Sequence, residues 1–570
     1  MILFRYKSVI FLLLGSLILI PSLFFGFKIL VKAAVFDTDV TVGNAPPAYS
    51  VLPHEDPVSD GTTPTNEGSN VTWKATASDP ISEDYYLAIC KTNAITAGVS
   101  GAAPTCGGDA WCVTTATASG VEATCSYTTQ GTDAESNAWF GFVCDDNSSS
   151  ASCSLASQGS GTPTGSNSPF KVNHDPTYSA IVDSVGGVTD DGADPGEVVL
   201  FTATAADADT DTANDTVKLV VCADTSGATT SGCVGTLICA SSSVASNPNC
   251  SVTTGVDGVA PDGDFNYYAY VFDSHGIASA SNYRTGSYTI NNMSPEVISL
   301  TLNGGLDISL TAQTTTNVAV TTGVRDYNSC QDITGVETSV YRSGIGYSLC
   351  DANAEDDDNN CYAQVTCTVV GGTCTGTTDG LADYTCTVAM QYHADATKDE
   401  DLNDIEYSLQ NWMNTVKVTD DDTAVGTSEI GIGVEVLTTV ALDLTAGFSY
   451  GSLNLGEKND PLDKITNVKA VGNVGIDEEL SGTDMGDGGV GIIDVGYQKY
   501  ALASSTAYAS GVALSTTPTE AEINCLKTTN SASPANEDTW WGIEIPVGIP
   551  PGVYSGENTI NAYLGEVLEW

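Results

Sequence analysis

Acidic residues recur at matched places along this 570-residue chain, and they are the side chains best placed to do chemistry. One group follows the second strand-like run of each of three repeats: Asp79 with Glu83 and Asp84, Asp207 with Asp209 and Asp211, and Asp326 with Asp332. Another follows the penultimate run: Asp145 with Asp146, then Asp273, then Asp420 with Asp421 and Asp422. An asparagine opens each repeat, at Asn44, Asn173 (with Asp175 close behind) and Asn292. Calcium takes six to eight oxygen ligands, and carboxylates gathered without a cation repel one another. The expected metal ligands are therefore Asp79, Asp145, Asn173, Asp175, Asp207, Asp209, Asp273, Asn292, Asp326 and Asp420. The run from Asp207 is no EF-hand, because Lys218 stands at the twelfth place, where a Glu is needed. The competing reading is that Asp simply favours turns and solubilises the surface. Both stay open at the level of sequence.

Other chemistry finds little support. There is no phosphate-cradling Gly-Lys-Ser/Thr loop and no His-Glu-x-x-His. Only four histidines (His54, His174, His275, His393) are available as bases near neutral pH. Paired acids are frequent, but they cluster in turns rather than beside the aromatic residues that line a glycosidase cleft. Catalysis is not expected. Acids outnumber bases by 71 to 18, and four of those bases (Arg5, Lys7, Lys28, Lys32) lie in the first 33 positions, which hold no acid. A chain so negative repels nucleic acid and anionic lipid, so neither is an expected partner.

The compartment follows from the N-terminus and the cysteines. Arg5 and Lys7 precede an uncharged run from Ser8 to Phe27, rich in Leu, Ile and Phe. As a helix it would span about 30 Å, enough for a bilayer. Val31-Lys32-Ala33 then offers small side chains where a signal peptidase reads. Residues 1–33 are a signal peptide or a signal anchor, and any membrane contact is expected to run through them alone. The 17 cysteines fall in groups with even membership, apart from Cys525. Even groups suit intradomain disulfides in an oxidising compartment. Zinc is disfavoured, since no Cys-x-x-Cys occurs and the histidines are scattered. Local pairing is expected: Cys222 with Cys233 and Cys239 with Cys250, and by alignment Cys90 with Cys106 and Cys112 with Cys125. Cys144 should pair with Cys153, since the second repeat has Phe272 in place of the first. In the third group only Cys350 with Cys361 is assigned. Four cysteines allow three connectivities, so the spacing does not force these pairs.

Three segments begin alike: Asn44-Ala-Pro-Pro47, Asn173-His-Asp-Pro176 and Asn292-Met-Ser-Pro295. Each follows a short extended run, and a proline there cannot continue a ladder, so each marks a domain junction. "VTWKATASDPISEDYYLAIC" aligns with "VVLFTATAADADTDTANDTVKLVVC", and both alternate at period two, as strands do. The third repeat ends in a strand, Val416 to Asp421, that runs into an acidic turn and a last strand. This Val-x-Val-Thr-Asp-Asp ending resembles the PKD-type and cadherin-like immunoglobulin folds of bacterial surface proteins. Asn-x-x-Pro resembles the cadherin linker, although the fuller acidic run of that linker is missing. The resemblance spans roughly 45–440. It implies Greek-key sandwiches of about seven strands, in which both acidic turns and the incoming linker share one pole.

The expected fold is all-β: tandem immunoglobulin-like β-sandwiches with intradomain disulfides behind a hydrophobic export segment. The expected boundaries are a leading strand or linker at 34–44, sandwiches at 45–173, 174–292 and 293–440, and a C-terminal β-sandwich module at 441–570. In that module a turn built on Pro546, Gly548, Pro551, Gly552 and Tyr554 looks like one that joins two edge strands in accessory modules of secreted proteins. Trp540 and Trp541 either divide between core and edge or form a sugar-stacking platform. The expected function is an exported, acidic, structural or adhesive surface protein with calcium-stabilised junctions. The alternative is a carbohydrate-binding surface module acting through its C-terminal domain. Partners would be cell-surface or matrix components, glycan, or further copies of the chain. N-terminal sequencing of the exported protein should begin near Ala34. Intact Met1 on chain recovered from washed membranes identifies an anchor instead.

Overall fold

The computed structural model describes residues 40, 42–159, 168–185, 192–209, 215–352, 357–398, 406–445 and 447–566. The export segment and Asp211 lie outside the described residues. Among the described residues two compact units are distinguished by their contacts, one on those up to Asp56 with Thr72–Tyr127 and those in 138–168, the other on Pro57–Val71, Thr128–Asn137 and those from Pro169 onward.

Seven strands follow from the first repeat: β1 (Ala48–Glu55), β2 (Asn70–Ser78), β3 (Tyr85–Cys90), β4 (Ala110–Val113), β5 (Glu122–Thr128), β6 (Phe140–Asp145) and β7 (Phe170–Asn173). In the first unit β1-β2-β5 form one sheet and β6-β3-β4 another. In the second unit β7 pairs with Thr65–Asn66 and Ser136–Asn137. The second repeat gives β8 (Thr177–Asp183), β9 (Val198–Ala206), β10 (Val217–Cys222), β11 (Leu237–Ala240), β12 (Asn249–Thr253), β13 (Gly263–Asp273) and β14 (Arg284–Ile290). Their sheets run β8-β9-β12 and β11-β10-β13-β14. First, second and fifth strands on one side with fourth, third, sixth and seventh on the other is the immunoglobulin-like order. The third repeat supplies β15 (Glu296–Leu302), β16 (Thr316–Arg325), β17 (Ile333–Arg342), β18 (Cys361–Val369), β19 (Leu381–Met390), β20 (Trp412–Asp420) and β21 (Val425–Glu429). Here β18 pairs with both β17 and β19, so the two sheets join as β15-β16-β19-β18-β17-β20-β21.

Alternation places the core. In β9 every second residue is buried, and Phe201, Ala203 and Ala205 face inward. Trp73, Ala75 and Ala77 do the same in β2. Phe201 packs edge-on against Tyr267 at 4.9 Å and Tyr288 at 5.9 Å, closing the gap between the two sheets. The opening strand of each repeat bulges by one residue at the same offset from its proline. Ser50, Ser179 and Ile298 are the residues skipped in pairing, each three places beyond Pro47, Pro176 or Pro295. Such a bulge bends the strand just after the proline has fixed its entry.

Eight disulfides staple these sheets. Cys112–Cys125 and Cys239–Cys250 join the fourth strand to the fifth and so link one sheet to the other. Cys90–Cys106 and Cys222–Cys233 tie the third strand to the excursion that follows it, and Cys144–Cys153 closes a hairpin after β6. The third repeat holds Cys350–Cys361 and two bridges that spacing did not suggest. Cys330 reaches Cys374 across 44 residues, and Cys367 lies directly opposite Cys386 in the β18–β19 register.

The C-terminal module contains β22 (Leu442–Leu444), β23 (Lys464–Ala470), β24 (Ile476–Gly482), β25 (Gln498–Ala501), β26 (Thr519–Cys525), β27 (Asn536–Ile543) and β28 (Asn558–Leu564). One sheet runs β22-β23-β27-β25 and ends on Val512–Ala513, and the other is β26-β24-β28. The Pro- and Gly-rich turn at 546–554 therefore links a central strand of one sheet to an edge strand of the other, not two edge strands. Trp541 is buried against Phe448 and Tyr500, and its indole donates to Thr466 Oγ1 at 2.8 Å, whereas Trp540 is half-buried. Cys525 is buried in a separate cluster with Val468, Ala470, Ile476 and Ile523. Phe201→Ala should cost about 3–5 kcal/mol in the unfolding of the second sandwich. Leu200→Ala, on the outer face of the same strand, should cost less than about 0.5 kcal/mol, as read by denaturant titration.

Candidate metal centres

Strand direction brings the second-strand turn and the sixth-strand turn to one end of each sandwich, where the incoming Asn also arrives. In the first unit Asn44 Nδ2 donates to Asp145 Oδ2 at 2.7 Å. In the second sandwich Asn173 Nδ2 donates to Asp273 Oδ2 at 2.6 Å, and in the third Asn292 Nδ2 donates to Asp420 Oδ2 at 3.1 Å. The other oxygen of each Asp caps its own turn. Asp145 Oδ1 accepts from Asn147 N, Asp273 Oδ1 from the amides of His275, Gly276 and Ile277, and Asp420 Oδ1 from Ala424 N. All three of these carboxylates are buried.

The second-strand acids are held by matching contacts. Oδ1 of Asp79 accepts from Ile81 N, that of Asp207 from Asp209 N and that of Asp326 from Asn328 N. Their Oδ2 atoms are buried in all three and accept no hydrogen bond among the described residues. Asp79 is 5% exposed and Asp326 0%. Asn44 Oδ1 and Asn292 Oδ1 are buried and unpartnered as well, as are Glu83 Oε2 and Asp332 Oδ2. Carboxylate oxygens of Asp79, Glu83 and Asp145 lie within 4.8 Å of one another, and so do those of Asp326, Asp332 and Asp420. Oxygen-only donors, buried and short of hydrogen-bond donors, fit a hard cation such as calcium.

Burial pushes Asp207 and Asp326 up to about 6, against backbone amides that favour their charge and with help from neighbouring acids. Asp332 is also raised, first by burial and then by a hydrogen bond shared with Asp421. Asp262, which the sequence did not single out, stands just before β13 and joins this group from the second sandwich. Burial raises its carboxyl, and Asp422 and Asp421 add to that. Its signal was faint, because it precedes a strand instead of following one.

The second pole departs from the other two. Asp209 accepts from His174 N at 2.7 Å with Oδ2 and contacts His174 Nδ1 at 2.8 Å with Oδ1, so both its oxygens are engaged by the linker. His275 Nδ1 lies 3.3 Å from Asp215 Oδ1. Two histidines widely separated in sequence thus serve one pole. Asp175 is raised by burial and by the charges of Glu67 and Asp273, without entering a three-acid group among the described residues.

The approach to the C-terminal module uses basic residues instead. Asp395, buried, is bonded by Arg342 Nε at 2.8 Å and by Lys527 Nζ, and Arg342 lies over the Tyr407 ring. Asn473 holds the linker through Thr439 N and Leu437 O. One further pattern, Gly447-Phe448-Ser449-Tyr450-Gly451, has nucleophile-elbow spacing. It lies in no strand-to-helix turn, Ser449 Oγ accepts from Gly451 N, and Phe448 and Tyr450 pack on the core.

No protein-family model matches the chain, and no curated protein does. Among solved structures it is similar to a Ca2+-stabilized adhesin that helps an Antarctic bacterium reach out and bind ice, at 12% identity over 91% of this chain and 99% of that one, with a TM-score of 0.26. A marsupial T cell receptor matches at 10% identity, covering 67% of this chain and 100% of its own, with a TM-score of 0.26. A 1.5-MDa bacterial ice-binding adhesin matches at 12% identity, covering 69% and 99%, with a TM-score of 0.22. Likenesses this remote say nothing of ligand or activity, and the tandem immunoglobulin-like fold stands on the strand order itself.

Raised acids give a pH signature in chelator. A carboxyl whose folded value lies near 6 adds stability that is complete below the ordinary value of about 3.9 and is lost as the pH rises through about 6. The cation-free third sandwich should therefore melt higher at about pH 5 than at about pH 8, and Asp326→Asn should reduce that difference in calorimetry while Asp332, raised to about 8, keeps the larger part of it.

Proposed function

We propose that the chain is an extracellular structural and adhesive protein, a non-catalytic stalk of tandem sandwiches divided at 45–173, 174–292, 293–440 and 441–570, whose acidic poles bind calcium. The observation that carries the metal is the recurrence of one atom. Oδ2 of Asp79, of Asp207 and of Asp326 is buried and unpartnered at the same place in three sandwiches. A turn-favouring Asp has no reason to keep its second oxygen dry three times, since leaving a buried acceptor unsatisfied costs about 1–3 kcal/mol. The ligands would be Asn44, Asp79, Glu83 and Asp145 at one pole, and Asn292, Asp326, Asp332 and Asp420 at another. At the remaining pole Asn173, Asp207 and Asp273, with Asp175 beside them, would serve while Asp209 stays with His174.

Export is supported by the eight disulfides, which persist outside the reducing cytosol. Exposed acids keep such a chain soluble and self-repelling, and its partners would be surface or matrix components, glycans, or further copies of itself. A cation that binds only the folded state stabilises it by mass action. Calcium should raise the melting temperature of the parent chain and chelator should lower it, with every disulfide intact. Asp326→Asn separates this from general screening. It should melt higher than the parent in chelator, because a buried charge is gone, and lower than the parent in calcium, because a ligand is gone. Equal responses of both chains to calcium would leave these acids as plain turn residues.

A further inference from the structure

The C-terminal module carries another group of acids, unrelated to the repeat pattern. Carboxylate oxygens of Asp477, Glu522 and Glu566 lie within 4.8 Å of one another. Asp477 is on β24, paired with Tyr563 of β28 on one side. On its other side the ladder is irregular: Ile476 pairs with Cys525 and Glu478 with Ala521, so Glu522, Ile523 and Asn524 together face Asp477. Asn524 takes a left-handed φ of 53°, and its amide donates to Asp477 Oδ1 at 2.9 Å. The wide bulge thus fixes the carboxylate and brings Glu522 up to it. Glu566 arrives just past the end of β28, where Gly565 N donates to Gly475 O.

The second observation is independent of that clustering. Asp477 is 0% exposed, and its Oδ2 is buried with no hydrogen-bond donor among the described residues. None of the three acids takes part in an ion pair among the described residues. Glu522 is raised chiefly by the charges of Glu566 and Asp477, and Asp477 chiefly by burial. A fully buried carboxylate with one dry oxygen, facing two flexible glutamates that reach solvent, forms a half-shell of hard ligands that water can complete. No nitrogen or sulfur donor belongs to the group, which disfavours zinc or copper. One ligand is buried and held by a backbone amide and two are exposed side chains, which suits the larger and less exacting calcium better than octahedral magnesium.

We propose that Asp477, Glu522 and Glu566 form a calcium site of the C-terminal module, separate from the poles of the three repeats and independent of whether those bind metal. The test is equilibrium dialysis of the full chain against radioactive calcium at about 1 mM, the upper range of extracellular calcium modules. Asp477→Asn and the double change Glu522→Gln with Glu566→Gln are each made in the parent and in a background carrying Asp79→Asn with Asp326→Asn, and all are compared with the parent and with that background. The glutamates are exposed, so their variant should fold as the parent does, which circular dichroism checks. The expected result is one ion fewer per chain for Asp477→Asn and for the glutamate pair, both in the parent and in the Asp79→Asn, Asp326→Asn background. If the glutamate pair binds as many ions as its background, the site is refuted. If the Asp79→Asn, Asp326→Asn chain alone retains the parent's count, the pole reading fails while this one stands.

Discussion

A linker amide donated to a buried carboxylate sets the geometry of each repeat. Asp145, Asp273 and Asp420 end the sixth strand inside the protein, where an ionised group is costly unless every oxygen is engaged. Turn amides engage one oxygen and the Asn side chain engages the other. Three residues on, proline fixes the chain direction, and three more bring the bulge that bends the first strand onto its sheet. Asn, Pro and bulge act as one entry device, which is why they recur together while the loops between them vary.

The same device concentrates negative charge. Backbone amides stabilise Asp79, Asp207 and Asp326 through one oxygen only, and burial raises the last two of these toward neutral pH. The protein deals with such charge in three ways. At the second pole an imidazole from the linker sits against Asp209. At the C-terminal approach Arg342 and Lys527, drawn from a small stock of bases, close on Asp395. At the first and third poles no side-chain cation pairs with the acids among the described residues, and oxygen atoms there are left without a hydrogen-bond donor. The contrast is informative, because a chain able to place bases at one buried acid has not placed them at the others.

Rigidity has a separate source. Inter-sheet bridges at Cys112–Cys125 and Cys239–Cys250 hold the sandwiches whatever the state of their poles. In the third repeat the continuous seven-stranded sheet and its three bridges do this work. Cation binding would thus adjust stability at the sandwich ends without being needed to form the cores.

Sequence by itself determined the all-β class, the recurrence of Asn-x-x-Pro and alternating strands such as β2 and β9. Period-two burial in β9 and the turn residues after it are properties of a few neighbouring positions, and local sterics settle them. The pole acids could be named for a similar reason, since each follows a strand end that alternation makes visible. Tertiary structure decided what those acids meet. That Asp209 turns to His174, that Asp262 reaches the third sandwich's acids, and that Cys330 finds Cys374 depend on how sheets pack. The turn at 546–554 crosses between sheets where its residues suggest a link between two edge strands, since nothing local tells a sheet-to-sheet crossing from a hairpin. Asp477 was overlooked altogether, because its dry oxygen is created by a bulge in a neighbouring strand forty-odd residues away. Spacing along a chain fixes which face a side chain takes, but distance between faces arises only when remote strands are brought into register.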